Sequence, residues 1–253
     1  GNEALGVSEE VLARCDGLDE ARCALPWPSN LYLAPDKGRT SGYQLRFGAE
    51  SLPANQAGDH IDPVPYRRLD GYGVGTPIMT VLPNLDTEGM ADRHDVAPSV
   101  AEDASVVLLE VQPDGTTERV PYWVELDAQA EGVANQQVLF VRPAVLLEEN
   151  TRYIVAFRDL KTTDGASIEP SAAFKKLRDN NVDGGTVLAK RQRRFEEVFG
   201  LLKDAGIARD SLTLAWDFRT ASSDGLHGRM LQMRSDAMQQ VGPKGPKLQY
   251  DPM

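Results

Sequence analysis

The chain has 253 residues, of which 41% are hydrophobic and 26% are charged, and its formal net charge at pH 7 is −11. This length is enough for one large domain or two small domains with real cores. The acidic balance disfavours nucleic acids and anionic membranes as partners, because both attract basic surfaces. No apolar run approaches the roughly 20 residues that cross a bilayer, so we predict no membrane-spanning segment.

The two ends of the sequence suggest that the chain is one part of a longer protein. It begins with glycine rather than methionine, and it stops at Met253, shortly after residues 247–250 begin a strand-like pattern. We therefore expect further domains outside this stretch.

The only two cysteines are Cys15 and Cys23, and Gly17 lies in the short loop between them. This spacing predicts a local disulfide, which is typical of exported proteins. A loop of this size adds about 2–3 kcal/mol on the chain-entropy model. The alternative is two unrelated thiols in a cytosolic chain. Zinc is disfavoured, because two cysteines without a nearby histidine do not complete a tetrahedral site.

Residues 1–104 are predicted to form an extended, β-rich region with a disulfide-closed start. A serine N-cap followed by acidic residues predicts a short helix over residues 8–14. Prolines punctuate residues 24–36 and favour an extended or turning chain there. Residues 43–47 alternate apolar and polar side chains, and residues 76–82 form a compact apolar run, so both are predicted strands.

Residues 105–222 contain strands at about ten-residue spacing with turns between them, a pattern typical of a β-sandwich. Pro121 indicates an edge or a bulge in the second of these strands. The predicted strand pairs lie at residues 105–111 with 118–125 and at residues 138–141 with 153–157.

A helical insertion over about residues 170–206 is predicted before the last strand. Pro170 suits the start of its first helix. Its second helix carries an apolar stripe at i, i+3, i+4 and i+7, formed by Phe195, Val198, Phe199 and Leu202. The strand that follows, residues 212–218, has an aromatic inner face.

Residues 223–253 are predicted to hold a connector helix and the start of a following domain. The helix is expected at residues 226–240, with methionines spaced along it at Met230, Met233 and Met238. Methionine at helical spacing usually fills a core, and a methionine-rich binding groove is the alternative.

The sequence contains no recognisable catalytic set. A serine hydrolase of the α/β type needs the pattern G-x-S-x-G, which is absent. His60 and His94 lie in acid-rich segments that suit metal ligands or a histidine–carboxylate pair, and solvated acidic loops are the favoured interpretation of both segments. His227 lies between two glycines. We assign no catalytic residue.

One segment matches the first half of a calcium-binding loop. Asp179, Asn181 and Asp183 precede Gly184 in the pattern D-x-[DN]-x-[DN]-G. The twelfth position, which should be glutamate, is Lys190. Two interpretations stay open: an ordinary loop between two helices, or a looser calcium site formed by the three side chains with water. Calcium is the only cofactor that the sequence suggests.

Several segments resemble the N-terminal region of bacterial extracellular lipases of the virulence-factor type. The matching stretches are ALPWPSNLYL (24–33), RLDGYGVGTPI (68–78), LFVRPAVLLEENTRYIVAFRDL (139–160), DGASIEPSAAFKKLRD (164–179) and LTLAWDFRTAS (212–222). The family shows Phe-Ser where this chain has Tyr72 and Gly73. The strand pair within residues 138–157 is also similar to bacterial Ig-like domains.

The resemblance implies a function for the parent protein but no catalytic residue in this chain. It implies a mainly β fold with α insertions, an Ig-like β-sandwich with a helical pair before the last strand. It also implies a secreted or cell-envelope location and a downstream α/β-hydrolase domain as partner. We therefore expect a non-catalytic N-terminal accessory domain of a secreted lipase- or esterase-like hydrolase. The alternatives are a cell-envelope or surface-binding module, and an enzyme in its own right with a calcium- or histidine-centred site.

Overall fold

The structure of the protein is a computed structural model, in which residues 15–19, 22–133, 136–242 and 245 are described. The fold is mainly β, with three α-helices and several antiparallel sheets in the described part of the chain. The helix predicted at residues 8–14 and the strand predicted from residue 247 lie outside the described residues.

The connections between the described strands and helices differ widely in length. In chain order they are β1 (Leu33–Pro35), β2 (Tyr43–Leu45), β3 (Ile78–Val81), β4 (Val106–Val111), β5 (Thr117–Arg119), β6 (Tyr122–Leu126), β7 (Val138–Pro143), β8 (Arg152–Arg158), α1 (Ala172–Arg178), α2 (Val187–Asp204), β9 (Leu212–Arg219) and α3 (Ser223–Val241).

The strands form three antiparallel sheets. β1 pairs with β2, a three-stranded sheet has the order β3-β7-β6, and a four-stranded sheet has the order β5-β4-β8-β9. Both larger sheets contribute side chains to one hydrophobic core. The hydroxyl of Tyr122, from the three-stranded sheet, donates to the carbonyl of Val106 in the four-stranded sheet.

One predicted strand pair is wrong. β7 and β8 follow each other in sequence, but β7 pairs with β3 and β6, whereas β8 pairs with β4 and β9. The segment between β7 and β8 does not form a hairpin turn, because it is bonded to other parts of the chain. The N–H of Leu147 donates to the carbonyl of Val74, and the N–H of Asn150 donates to the carbonyl of Ala221. The connection therefore crosses between sheets.

Pro121 marks a second crossing. Residues on its N-terminal side pair with β4, and residues on its C-terminal side pair with β7. Proline has no N–H for a sheet ladder, so the strand predicted at residues 118–125 divides there into β5 and β6.

The four-stranded sheet is covered on both faces at β9, where seven consecutive residues are buried. Trp216 and Phe218 point to one face; Trp216 donates its Nε1–H to the carbonyl of Pro28 at 2.7 Å, and Phe218 meets the ring of Tyr72 edge-on. Asp217 points to the other face and contacts α2. The N-terminal segment thus covers the Trp216 face and the helical pair covers the Asp217 face, and the side chain of Asn30 also reaches Asp217 with a hydrogen bond.

The helical insertion is confirmed, and its ends carry ordinary caps. The hydroxyls of Ser171 and Thr186 accept backbone N–H groups in the first turns of α1 and α2. Gly206, with φ of +81°, follows the end of α2, where a left-handed residue favours glycine. Phenylalanine rings join the two helices, with centroid distances of 5.8 to 6.3 Å among Phe174, Phe195 and Phe199.

Asp217 carries the charge that ties the helical layer to the sheet. Arg194 of α2 donates to its carboxylate at 2.8 Å, and Arg152 of β8 donates at 2.7 Å. Burial alone would raise the pKa of the Asp217 carboxyl. The hydrogen bonds from Arg194 and the charges of both arginines outweigh burial, so the pKa lies below its usual value.

We expect Asp217→Asn to lower the free energy of unfolding by about 3 kcal/mol at pH 7, because it leaves two arginines without their buried carboxylate. Since the folded pKa is depressed, the contribution is complete above the unfolded value of about 3.9 and is lost as the pH falls through the folded pKa. Urea unfolding at pH 7 and pH 3 should show the gap between wild type and variant narrowing in acid. A gap that is unchanged by pH would contradict this assignment.

Candidate functional site

The base of α3 is built around a buried carboxylate. Asp70 accepts the backbone N–H of Ser222 at 3.1 Å and the hydroxyl of Ser222 at 2.5 Å. The same hydroxyl accepts the N–H of Gly225 at 3.2 Å and so forms the N-cap of α3. Asp70 is 2% exposed. A buried charge of the N-terminal region therefore fixes where the last helix begins.

Two glycines allow this close approach. A Cβ on Gly71 would lie 2.5 Å from backbone atoms of Thr220 and Ala221, and a Cβ on Gly225 would overlap the Asp70 carboxylate. The neighbouring Tyr72 adds a parallel bridge to the end of β9, in which its carbonyl accepts the N–H of Ala221 at 2.7 Å.

Two exposed contacts hold the first turns of α3 from other sides. The hydroxyl of Thr40 donates to Asp224 at 2.7 Å. Nε2 of His227 lies 3.3 Å from a carboxylate oxygen of Glu149. Together with Asp70, these contacts attach the start of the helix to three different segments.

The remainder of α3 leaves the body of the protein. The helix has 19 residues, none of them is buried, and every residue from 229 to 241 is exposed. Met230 and Met233 are 63% and 62% exposed. The predicted helix is confirmed, but the expectation that its methionines fill a core is wrong, because the helix projects beyond the core. The helical spacing of the methionines therefore marks an apolar face that nothing in the described chain covers.

The exposed side chains of α3 form an ordered pattern. At 3.6 residues per turn, one apolar stripe runs along the helix, with exposed Leu231 and Met238 to one side of it and polar side chains on the opposite side. The stripe consists of Leu226, Met230, Met233, Ala237 and Val241, and we call it the α3 stripe. Spacings of three, four and seven residues are those with which a helix docks in an apolar groove.

Helices without tertiary packing are marginal in water, because nucleation costs more than a few turns recover. α3 is packed only at its start.

The predicted disulfide is present between Cys15 and Cys23. It lies beside Asp16, whose fully buried carboxylate accepts Arg191 of α2 at 2.8 Å and Ser29 at 2.8 Å. The disulfide loop thus connects the N-terminal segment to the helical layer.

The residues of the predicted calcium site lie between α1 and α2, as the sequence indicated. Both carboxylates are engaged by basic residues of α1. Asp179 pairs with Arg178 at 2.8 Å, and Asp183 pairs with Lys176 at 3.2 Å. The side-chain hydrogen bond from Arg178 lowers the pKa of Asp179. The site, with Asn181 as third member, stays a prediction, and a cation there must compete with two ion pairs.

The three histidines lie on separate segments. Nδ1 of His60 is 2.6 Å from the carbonyl of Leu52, and His94 lies beside its neighbour Arg93. His227 belongs to the base of α3. Within the described ranges, no group of three or more His, Cys, Asp or Glu side chains is placed to hold a metal ion.

Comparison with known protein families, curated proteins and solved structures found no match. None of the helices in the described part of the chain is long and apolar enough to cross a membrane.

The sequence did not reveal the polar base of α3. Asp70 and Ser222 are 152 positions apart, and each belongs to an ordinary pattern, an Asp-Gly turn and a serine N-cap. The only usable signal was Ser222 as a helix start, and that says nothing about its partner.

We expect Asp70→Ala to lower the free energy of unfolding by about 2–3 kcal/mol, since it leaves buried donors of Ser222 unsatisfied. Thermal unfolding followed by circular dichroism measures the loss. Asp103→Ala, which removes an exposed carboxylate from a loop, is the control and should have little effect. Equal stability of both variants would show that Asp70 does not hold the helix.

We expect up to 5 mM calcium to leave the melting temperature unchanged, because Lys176 and Arg178 already neutralise the two carboxylates. The measurement is a thermal melt with and without calcium, with magnesium as the control. A rise specific to calcium that disappears in Asp183→Asn would instead establish the looser calcium site.

Proposed function

We propose that this chain is a non-catalytic accessory module of a secreted lipase- or esterase-like hydrolase, and that the α3 stripe is the surface that packs against the hydrolase domain. The observation that carries the proposal is the projecting helix itself, anchored at its base by Asp70 and uncovered beyond it. A helix with this pattern is suited to a groove on a partner.

The partner would be the domain that follows α3 in the same parent chain. From Met230 to Val241 the stripe extends over about 16 Å at 1.5 Å per residue. A rigid base and a long apolar stripe would set the direction in which the next domain leaves the module. This arrangement suits a connector better than a free helix, whose exposed apolar side chains would be an aggregation hazard.

The assignment to a hydrolase rests on the resemblance of the sequence segments. Those segments pack on one another: residues 24–33 reach Trp216, and residues 68–78 reach Phe218 and Ser222. Because the segments pack on one another, we assign them a structural role as the scaffold of the module.

The finer description of the fold and location is also a proposal. We infer an Ig-like sandwich from sheets of three and four strands. The disulfide favours a secreted or cell-envelope location, because cytosolic thiols are kept reduced.

The alternative is a surface-binding module without an associated enzyme, in which the α3 stripe meets a separate protein. The test below distinguishes the two, because only the first requires the partner surface to be present in the parent chain.

We expect trypsin to cleave this 253-residue chain rapidly after Arg229 and Arg234, which lie in the exposed part of α3. In the parent chain the same sites should be protected. The double substitution Met230→Glu and Met233→Glu, on the stripe, adds no trypsin site and should abolish that protection. The matched control, Gln232→Glu and Gln239→Glu, places the same charges on the opposite side of the helix and should preserve it.

The stability of the hydrolase domain and its hydrolysis of p-nitrophenyl butyrate give a second measurement in the parent chain. The stripe variant should lower both, and the control should lower neither. A parent sequence without a G-x-S-x-G pattern after Met253 would rule out the hydrolase. Protection that is unaffected by the stripe variant would rule out α3 as the contact surface.

A further inference from the structure

An open cleft lies on the N-terminal part of the protein, and it is separate from α3. Its volume is about 550 Å³. The bridge between Trp27 and Met79 forms one side, where the N–H of each residue donates to the carbonyl of the other at 2.8 and 2.7 Å. The disulfide-bonded Cys23 lies on a second side. We propose that this cleft binds a single-chain amphiphile, with one extended apolar chain and a hydroxyl or carboxylate head.

The lining of the cleft is mostly apolar. Leu25 and Leu52 are each 9% exposed, and Trp27 and Met79 are half-buried with part of their surface in the cleft. Small-molecule sites typically have volumes of about 300–1,000 Å³, apolar walls and a few polar groups. The apolar chain of the ligand would lie against these four side chains.

A small hairpin forms the remaining wall. Ala54 and His60 make an antiparallel bridge, and Ile61 donates its N–H to the carbonyl of Pro53 at 3.1 Å. The side chain of Asn55 closes the turn by accepting the N–H of Ala57 at 2.8 Å. These hydrogen bonds hold the wall in place while the cleft beside it stays open, as a preformed site requires.

His60 supplies the group that recognises the head of the ligand. Its Nδ1 lies 2.6 Å from the carbonyl of Leu52, and because a carbonyl only accepts, Nδ1 must carry the proton. In the neutral ring, Nε2 is then an acceptor, which suits a ligand hydroxyl. In the protonated ring Nε2 is a donor, which suits a carboxylate. A quaternary ammonium head matches neither state.

The lining of the cleft also contains two charged side chains besides His60. Arg22 and Glu50 line the cleft together with His60. Arg22 is in an ion pair with Asp19 at 3.4 Å, which offsets its charge, so His60 is the group assigned to the head of the ligand. The site does not depend on the proposed function, because it contains no residue of α3.

The methionines offer a direct test. The chain has six of them, and in protein labelled with ¹³C on the methionine methyl groups, Met79 reports on the cleft while Met230 and Met233 report on the exposed stripe. Titration with dodecanoate below its micellar concentration should shift the Met79 signal saturably. It should leave the Met230 and Met233 signals unchanged at the same concentrations.

Variants locate the site. Ala54→Trp should fill the cleft and weaken dodecanoate binding at least tenfold, whereas Ala128→Trp, at an exposed position elsewhere, should not. Ala24→Phe fills the cleft from the other side and serves if Ala54→Trp does not fold. His60→Asn retains a donor for Leu52 but does not reach the head, so it should weaken dodecanoate more than dodecyltrimethylammonium.

Four results would overturn the proposal. The first is a Met79 signal that does not respond to 1 mM dodecanoate, and the second is a response confined to Met230 and Met233. The third is unchanged affinity when both cleft-filling variants are folded. The fourth is equal affinity for dodecanoate, dodecanol and dodecyltrimethylammonium, which would remove the role of His60.

Discussion

The rest of the structure depends on the burial of β9 on both of its faces. Trp216 anchors the N-terminal segment on one face through the carbonyl of Pro28, and Asp217 anchors α2 on the other through Arg194. Adjacent residues of a strand point in opposite directions, so one short stretch of chain joins three layers. Burying a carboxylate there is costly, and the two arginines that surround it offset the cost.

The end of β9 fixes the position at which α3 begins. The strand runs directly into the Asp70–Ser222 contact, where Gly71 permits backbone atoms to meet at a distance that no side chain would allow. The helix begins at a fixed point and in a fixed direction, although nothing in the described chain covers its length. The anchored start of α3 and its uncovered stripe are the two observations behind the proposed role of α3 as a contact to a further domain.

The two proposed binding surfaces differ in kind. The α3 stripe is convex and suits the groove of a protein partner. The cleft between Trp27 and the hairpin at His60 is concave, apolar and partly preformed, which suits a small ligand. They share no residue, so each stands or fails independently.

The sequence alone determined the local features: the Cys15–Cys23 disulfide, the helical insertion, the aromatic strand and the existence of the last helix. These follow from spacing, caps and periodicity, which act over a few residues. Only the tertiary structure decided that β7 and β8 belong to different sheets, that Asp70 binds Ser222 at the N-cap of α3 and that the methionines lie outside the core. Which strands pair and which side chains meet depends on packing between segments that are distant in the sequence. The helical spacing of apolar residues shows that one face of a helix is apolar, but it does not show what covers that face.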